Sequence, residues 1–132
     1  MDISTIEKVK KSFMVGDIFD RILVNSIKIS RNDDKIGKKI KKENELLTDL
    51  IDEIWDKKID DKLLNQYRES LHGVLQQQWD LLDIVFDLNE SELRRGKCAI
   101  LAQELNIKRV HWKNEINILF GSVVENKFYG KT

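Results

Sequence analysis

Apolar residues recur at steps of three and four along most of the chain, the period of amphipathic helices and not of strands. In the first third, Ile6, Val9, Phe13, Ile18, Phe19, Ile22 and Leu23 follow this spacing, and Ser4 with Glu7 forms a candidate capping box. The pattern predicts one helix here, weakened in its middle by Gly16. The polar stretch Asn25–Gly37, with Asn32, Asp33 and Asp34, predicts the first connection. A second helix is expected from near Ile36, carrying Ile40, Leu47, Leu50, Ile51, Ile54 and Trp55 inward and stopping near Lys57 or Lys58. Asp60 or Asp61 is placed to cap a third helix, whose apolar set is Leu64, Tyr67, Leu71, Val74, Leu75, Leu82, Val85 and Phe86. Asn89 with Glu92, or Ser91 alone, caps a fourth. Its stripe runs Leu101, Leu105, Arg109, Trp112, Ile116, Leu119, and Gly121 ends it.

Four such helices with short connections predict an all-α fold, an antiparallel bundle of four main helices over residues 1–120. In the tail, 121–132, the apolar residues Val123, Val124, Phe128 and Tyr129 are expected either to dock on the bundle or to stay mobile. Composition agrees: a chain of 132 residues is large enough for one ordinary core, and proline is absent. No strict heptad spans the chain, which favours a bundle over a long coiled coil.

Charge narrows the partners. Lys and Arg number 23 and so do Asp and Glu, which removes the usual electrostatic reason to expect nucleic acid. The balance is local, though. Seven basic and two acidic residues lie between Lys28 and Lys42, and eight acidic and two basic ones between Glu43 and Asp61. Without interleaved aromatics, the basic stretch reads as a solvated face. Cys98 is the only cysteine, so no intramolecular disulfide forms, and charges interrupt any apolar leader in the first twenty residues. The longest apolar run, Cys98–Ala102, is too short for a bilayer. These features predict a cytoplasmic protein without membrane insertion.

Candidate chemistry is sparse. His72 and His111 are the only histidines, and no zinc, ferritin-like, phosphate-loop or nucleophile-elbow pattern occurs, so no cofactor is expected. Two acidic ladders, Asp49–Asp52–Asp56 and Asp80–Asp83–Asp87, share the i, i+3, i+7 spacing. If they faced each other, Asp49, Asp52, Asp80 and Asp83 could hold Mg²⁺ for a nucleotide pyrophosphohydrolase; two solvated faces is the plainer reading. A third constellation places polar residues on apolar faces: His72, Trp79 and Asp83 on the third helix, Asn106 and Arg109 on the fourth. A buried Arg or Asp needs a counter-charge, which predicts an Asp83–Arg109 pair across the two helices.

Trp55, the Leu71-His72 pair, Trp79, Asp83, Asn106, Arg109 and Ile116 together resemble a bacterial all-helical family catalogued as domain of unknown function 4254. The chain departs from that pattern at Leu75, Leu82, Ala99, Ile100 and Gln103. The resemblance covers about 46–120. It implies helices, a polar cluster and an association with surface-glycan biosynthesis. With no acid, base and nucleophile set in view, the expected function is a non-catalytic binding or assembly module that takes a protein partner or a second copy. The alternative is a small-ligand or enzyme pocket on His72, Asp83, Asn106 and Arg109.

Overall fold

A computed structural model of the chain describes residues 2–12, 14–31, 34–55 and 57–125. Among these described residues it is an all-α bundle of five helices: α1 (Ile3–Ser12), α2 (Val15–Arg31), α3 (Asp34–Ile54), α4 (Asp61–Val85) and α5 (Glu92–Phe120). Helix α5 has 29 residues and is about 43 Å long. Helices α4 and α5 form an antiparallel hairpin with the broadest contact in the molecule. Helix α2 lies on that hairpin, antiparallel to α5, and α3 folds back along α2. Helix α1 touches α3. The bundle of four main helices is therefore α2–α5, with α1 as a short addition. No described helix is long and apolar enough to cross a membrane.

The core comes from all four main helices. Phe19 of α2 stacks at 5.7 Å on Phe120 of α5, and Trp55 meets the same ring edge-on at 6.0 Å. Val15, Ile27, Ile51, Ile54, Leu64, Leu71, Leu75 and Ile116 are buried around them. Of the other residues expected inside, Val9, Phe13, Ile36, Phe128 and Tyr129 lie outside the described side chains, as does Asp56 of the acidic ladder.

The first part of the chain differs from its sequence pattern. The expected single helix divides between α1 and α2, and α1 is capped by Asp2, whose carboxylate accepts the Thr5 N–H at 2.7 Å, not by Ser4. Helix α2 begins at Val15 because distant side chains satisfy its first N–H groups. Asn117 Oδ1 accepts from Gly16 N–H at 2.6 Å, and Ser122 Oγ accepts from Val15 N–H at 3.3 Å. Gly16 is needed there, since a Cβ would collide with the Lys113 carbonyl oxygen of α5.

The expected loop at 25–37 is helical on both sides of residues 32–33, which lie outside the described set. Asn25 is buried, and its amide donates to Glu43 Oε1 at 3.1 Å and Asn44 Oδ1 at 2.9 Å across α2 and α3. That exchange makes a polar stretch compatible with helix. Arg21 adds a 2.6 Å bond to Glu43, and the bonds from Arg21 and then Asn25 hold the Glu43 carboxyl below its ordinary value.

Of the remaining ends, α3 stops at Ile54, before the expected Lys57 or Lys58, and the caps of α4 and α5 follow the sequence. Asp60 accepts the Leu63 N–H, and Ser91 accepts the Arg94 N–H. Gly121 ends α5 at a φ of 68°, with Ser122 N–H bonded back to Asn117 O. Beyond it, Glu125 N–H and O are both held by Asn114, so the start of the tail is docked on α5. The tip of the α4–α5 hairpin has no such cover. Leu82 and Phe86, expected inside, are 37% and 74% exposed, and Leu101 of the expected α5 stripe is 48% exposed.

Candidate functional site

Arg109 projects from the inward face of α5 into a junction of three helices. Its Nε donates to Asp20 Oδ2 and its Nη2 to Asp20 Oδ1, both at 2.7 Å. This bidentate bond to a carboxylate raises the guanidinium pKa despite burial, and the Asp20 charge adds to it. Nη1 reaches Gln78 Oε1 of α4 at 3.3 Å. Gln78 is buried, and its Nε2 donates to Asn106 Oδ1 at 2.7 Å and to the Ala102 carbonyl at 3.1 Å. One chain of hydrogen bonds thus links Asp20 (α2), Arg109 and Asn106 (α5), and Gln78 (α4). Among the described residues, no buried side-chain nitrogen or oxygen lacks a partner.

The expected Asp83–Arg109 pair does not form. Asp83 bonds Arg31 at the C-terminal end of α2, at 3.3 Å, beside a 2.8 Å Arg31–Asp80 bond, and its side chain is 67% exposed. Hairpin register explains the difference. Arg95 bonds the Val85 carbonyl, Gln78 bonds Ala102, and Tyr67 stacks on Trp112, so Asp83 is level with the start of α5. Arg109 lies roughly 18 Å farther along the helix.

The expected cluster of five therefore divides. Asn106 and Arg109 belong to the internal network and edge a shallow hollow of about 270 Å³ with Gln78. Trp79 is half-buried against the core. His72 is half-buried on another side of α4, in a cleft of about 400 Å³ between α2, α3 and α4. Phe19, Ile51 and Trp55 give that cleft an apolar lining, and Asp52, Arg68 and Glu69 are its charged groups. Among the described residues, none pairs with Arg68 or His72.

The acidic ladders do not converge. Asp80 and Asp83 hold Arg31, Asp87 accepts the Asn89 N–H, and Asp49 and Asp52 line separate depressions. Among the described residues, no group of three His, Cys, Asp or Glu side chains is arranged to hold a metal ion. Asp20 and Gln78 are the network members the sequence pattern left out. Asp20 had a signal: it stands four residues after buried Gly16 and seven before buried Ile27, on the inward side of α2.

A second polar junction binds the ends of α2, α5 and the tail. Lys113 Nζ meets Asp17 at 2.7 Å and Glu125 at 3.2 Å. Burial works against its charge, but the two carboxylates prevail and its pKa lies above the ordinary lysine value.

Comparison with known proteins finds no matching family model, no matching curated protein and no matching solved structure.

Proposed function

We propose that this chain is a non-catalytic binding module that works by joining a protein, with the outward face of α5 as the joining surface. The observation behind this reading is a row of apolar side chains on the water-facing side of that helix. Leu93, Ile100, Ile107 and Ile118 are each more than half exposed. Rows of this kind are uncommon on a surface that meets only water, and they mark association faces. The polar interior supports the same reading. Asp20, Gln78, Asn106 and Arg109 are bonded to one another and hold three helices in register. The matching partner surface is an apolar helix face with charged edges. A cytoplasmic setting belongs to the same proposal.

The test is a photo-reactive residue at Ile107, with a control at Lys62, in cells making the full chain. A discrete adduct from position 107 and none from 62 is the expected result. No adduct, or equal labelling at both positions, removes the reading.

A second reading follows from the cleft beside His72. An anionic ligand with an apolar body would lie on Phe19 and Trp55, with Arg68 facing its charge and His72 able to share a proton. Titration with an aryl phosphate, followed through the His72 and Trp55 NMR signals, tests it. Signals that stay fixed at millimolar ligand remove it.

A further inference from the structure

Helix α5 is apolar on two opposite sides. Cys98, Ala102, Ile116 and Phe120 are buried, while Leu93, Ile100, Ile107 and Ile118 are 70, 58, 53 and 62% exposed. Steps of seven, seven and eleven keep the exposed four within about 40° of one another around the helix. Their row is about 38 Å long, or seven turns. We infer that a second copy of this chain covers this row, with the two α5 helices antiparallel.

Charge placement selects both the occupant and the direction. On the edge of the row nearest α4 stand Lys97, Glu104, Lys108 and Glu115. Centre a two-fold axis between Leu105 and Asn106, and Leu93 falls opposite Ile118 of the second copy and Ile100 opposite its His111. Along the edge, Lys97 then lies within one residue, about 1.5 Å of rise, of the level of Glu115 of the second copy, and Glu104 within one residue of its Lys108. The symmetry repeats each pair, giving four ion pairs of correct sign. In a parallel, in-register pair this edge would instead face the opposite edge of the second copy, where Gly96, Gln103, Val110 and Asn114 offer no counter-charge. Within one chain, Lys97, Glu104 and Lys108 have no ion pair to another described residue, and Glu115 lies near the Tyr67 hydroxyl, whose pKa is raised by burial and then by the Glu115 charge. The face thus complements itself in charge along this edge in the antiparallel orientation, with Leu93 set against Ile118 at both ends of the row.

This inference rests on the association reading above and makes it specific. Light scattering from micromolar to near-millimolar chain should show the mass rising from 15.5 kDa to twice that value. Ile100→Glu with Ile107→Glu should hold the chain at monomer mass. Glu104→Lys should weaken the dimer tenfold or more, and adding Lys108→Glu should restore it, which excludes misfolding as the cause of the loss. In a Cys98→Ala background, Leu93→Cys and Ile118→Cys chains should form a mixed disulfide when combined and none when oxidised separately. Cross-linking of Leu93→Cys to itself overturns the antiparallel arrangement. Purified chain that stays monomeric throughout overturns the second copy. If Ile107 still labels a different protein in cells, the association reading survives that result; if it labels nothing, both fall.

Discussion

Arg109 and Asp20, 89 positions apart in sequence, share two parallel 2.7 Å hydrogen bonds across α5 and α2. Asp20 is 7% exposed, so the pair, not the solvent, balances its charge. Arg109→Met leaves that carboxylate without its counter-charge. Breaking a buried pair costs about 3–5 kcal/mol, and partial exposure of Arg109 brings the expected loss to roughly 2–3 kcal/mol. Asp20→Leu with Arg109→Met should lose less than the sum of the two single changes, by about 1 kcal/mol or more in urea unfolding. Asp83→Ala, removing an exposed partner of Arg31, should stay within about 0.5 kcal/mol of the parent chain. Simple additivity at 20 and 109 would show that their contact is not energetically coupled.

Glycine positions give a prediction in opposite directions. Gly16→Ala forces a methyl group into the Lys113 carbonyl, where neither backbone can yield without separating α2 from α5. The expected cost is about 2 kcal/mol, from overpacking. Gly73 is also helical, in α4, but a Cβ there meets nothing within 4 Å. Gly73→Ala should stabilise the chain by about 0.5–1 kcal/mol through helix propensity alone. Thermal melts of the two variants should move to opposite sides of the parent, and a downward shift for both would contradict this packing.

Gly16 also shows what sequence pattern could and could not reveal. The period of three and four identified α3, α4 and α5 with their caps at Asp60 and Ser91, because those caps lie next to the helices they serve. The start of α2 was hidden because its cap comes from Asn117 and Ser122, a hundred residues away. Asn25 read as loop because its partners, Glu43 and Asn44, belong to another helix. The pairing of Arg109 failed for a related reason. Its need for an acid was visible, but the choice between Asp83 and Asp20 depended on hairpin register, which no local pattern carries.

The hairpin tip offers a further check on which apolar residues hold the fold. Phe86 and Leu88 are 74% and 82% exposed, so removing them takes almost nothing out of the core. Phe86→Ser and Leu88→Ser should each change stability by no more than about 0.5 kcal/mol. Leu71→Ala, at a side chain with 0% exposure, should cost roughly 2–5 kcal/mol. Chemical denaturation of the three variants checks this, and a large loss at Phe86 would mean that the tip is covered.

Lys113 gives the chain an alkaline limit. Its ammonium is 2.7 Å from Asp17 and 3.2 Å from Glu125, and its pKa in the folded chain lies above the ordinary lysine value of 10.5. A raised pKa means that the folded state holds this proton more tightly than the unfolded state. The resulting stabilisation is complete below the ordinary value and fades as pH climbs through the raised one. Lys113→Met removes it at every pH. The stability difference between parent and variant should therefore be constant from neutrality to near pH 10.5 and should shrink beyond it. Arg109 stays protonated across this range and adds no slope of its own. Urea unfolding of both chains at a series of alkaline pH values measures the difference directly. A difference that does not narrow above the lysine range would show that the Asp17–Lys113–Glu125 contact does not stabilise the fold through charge.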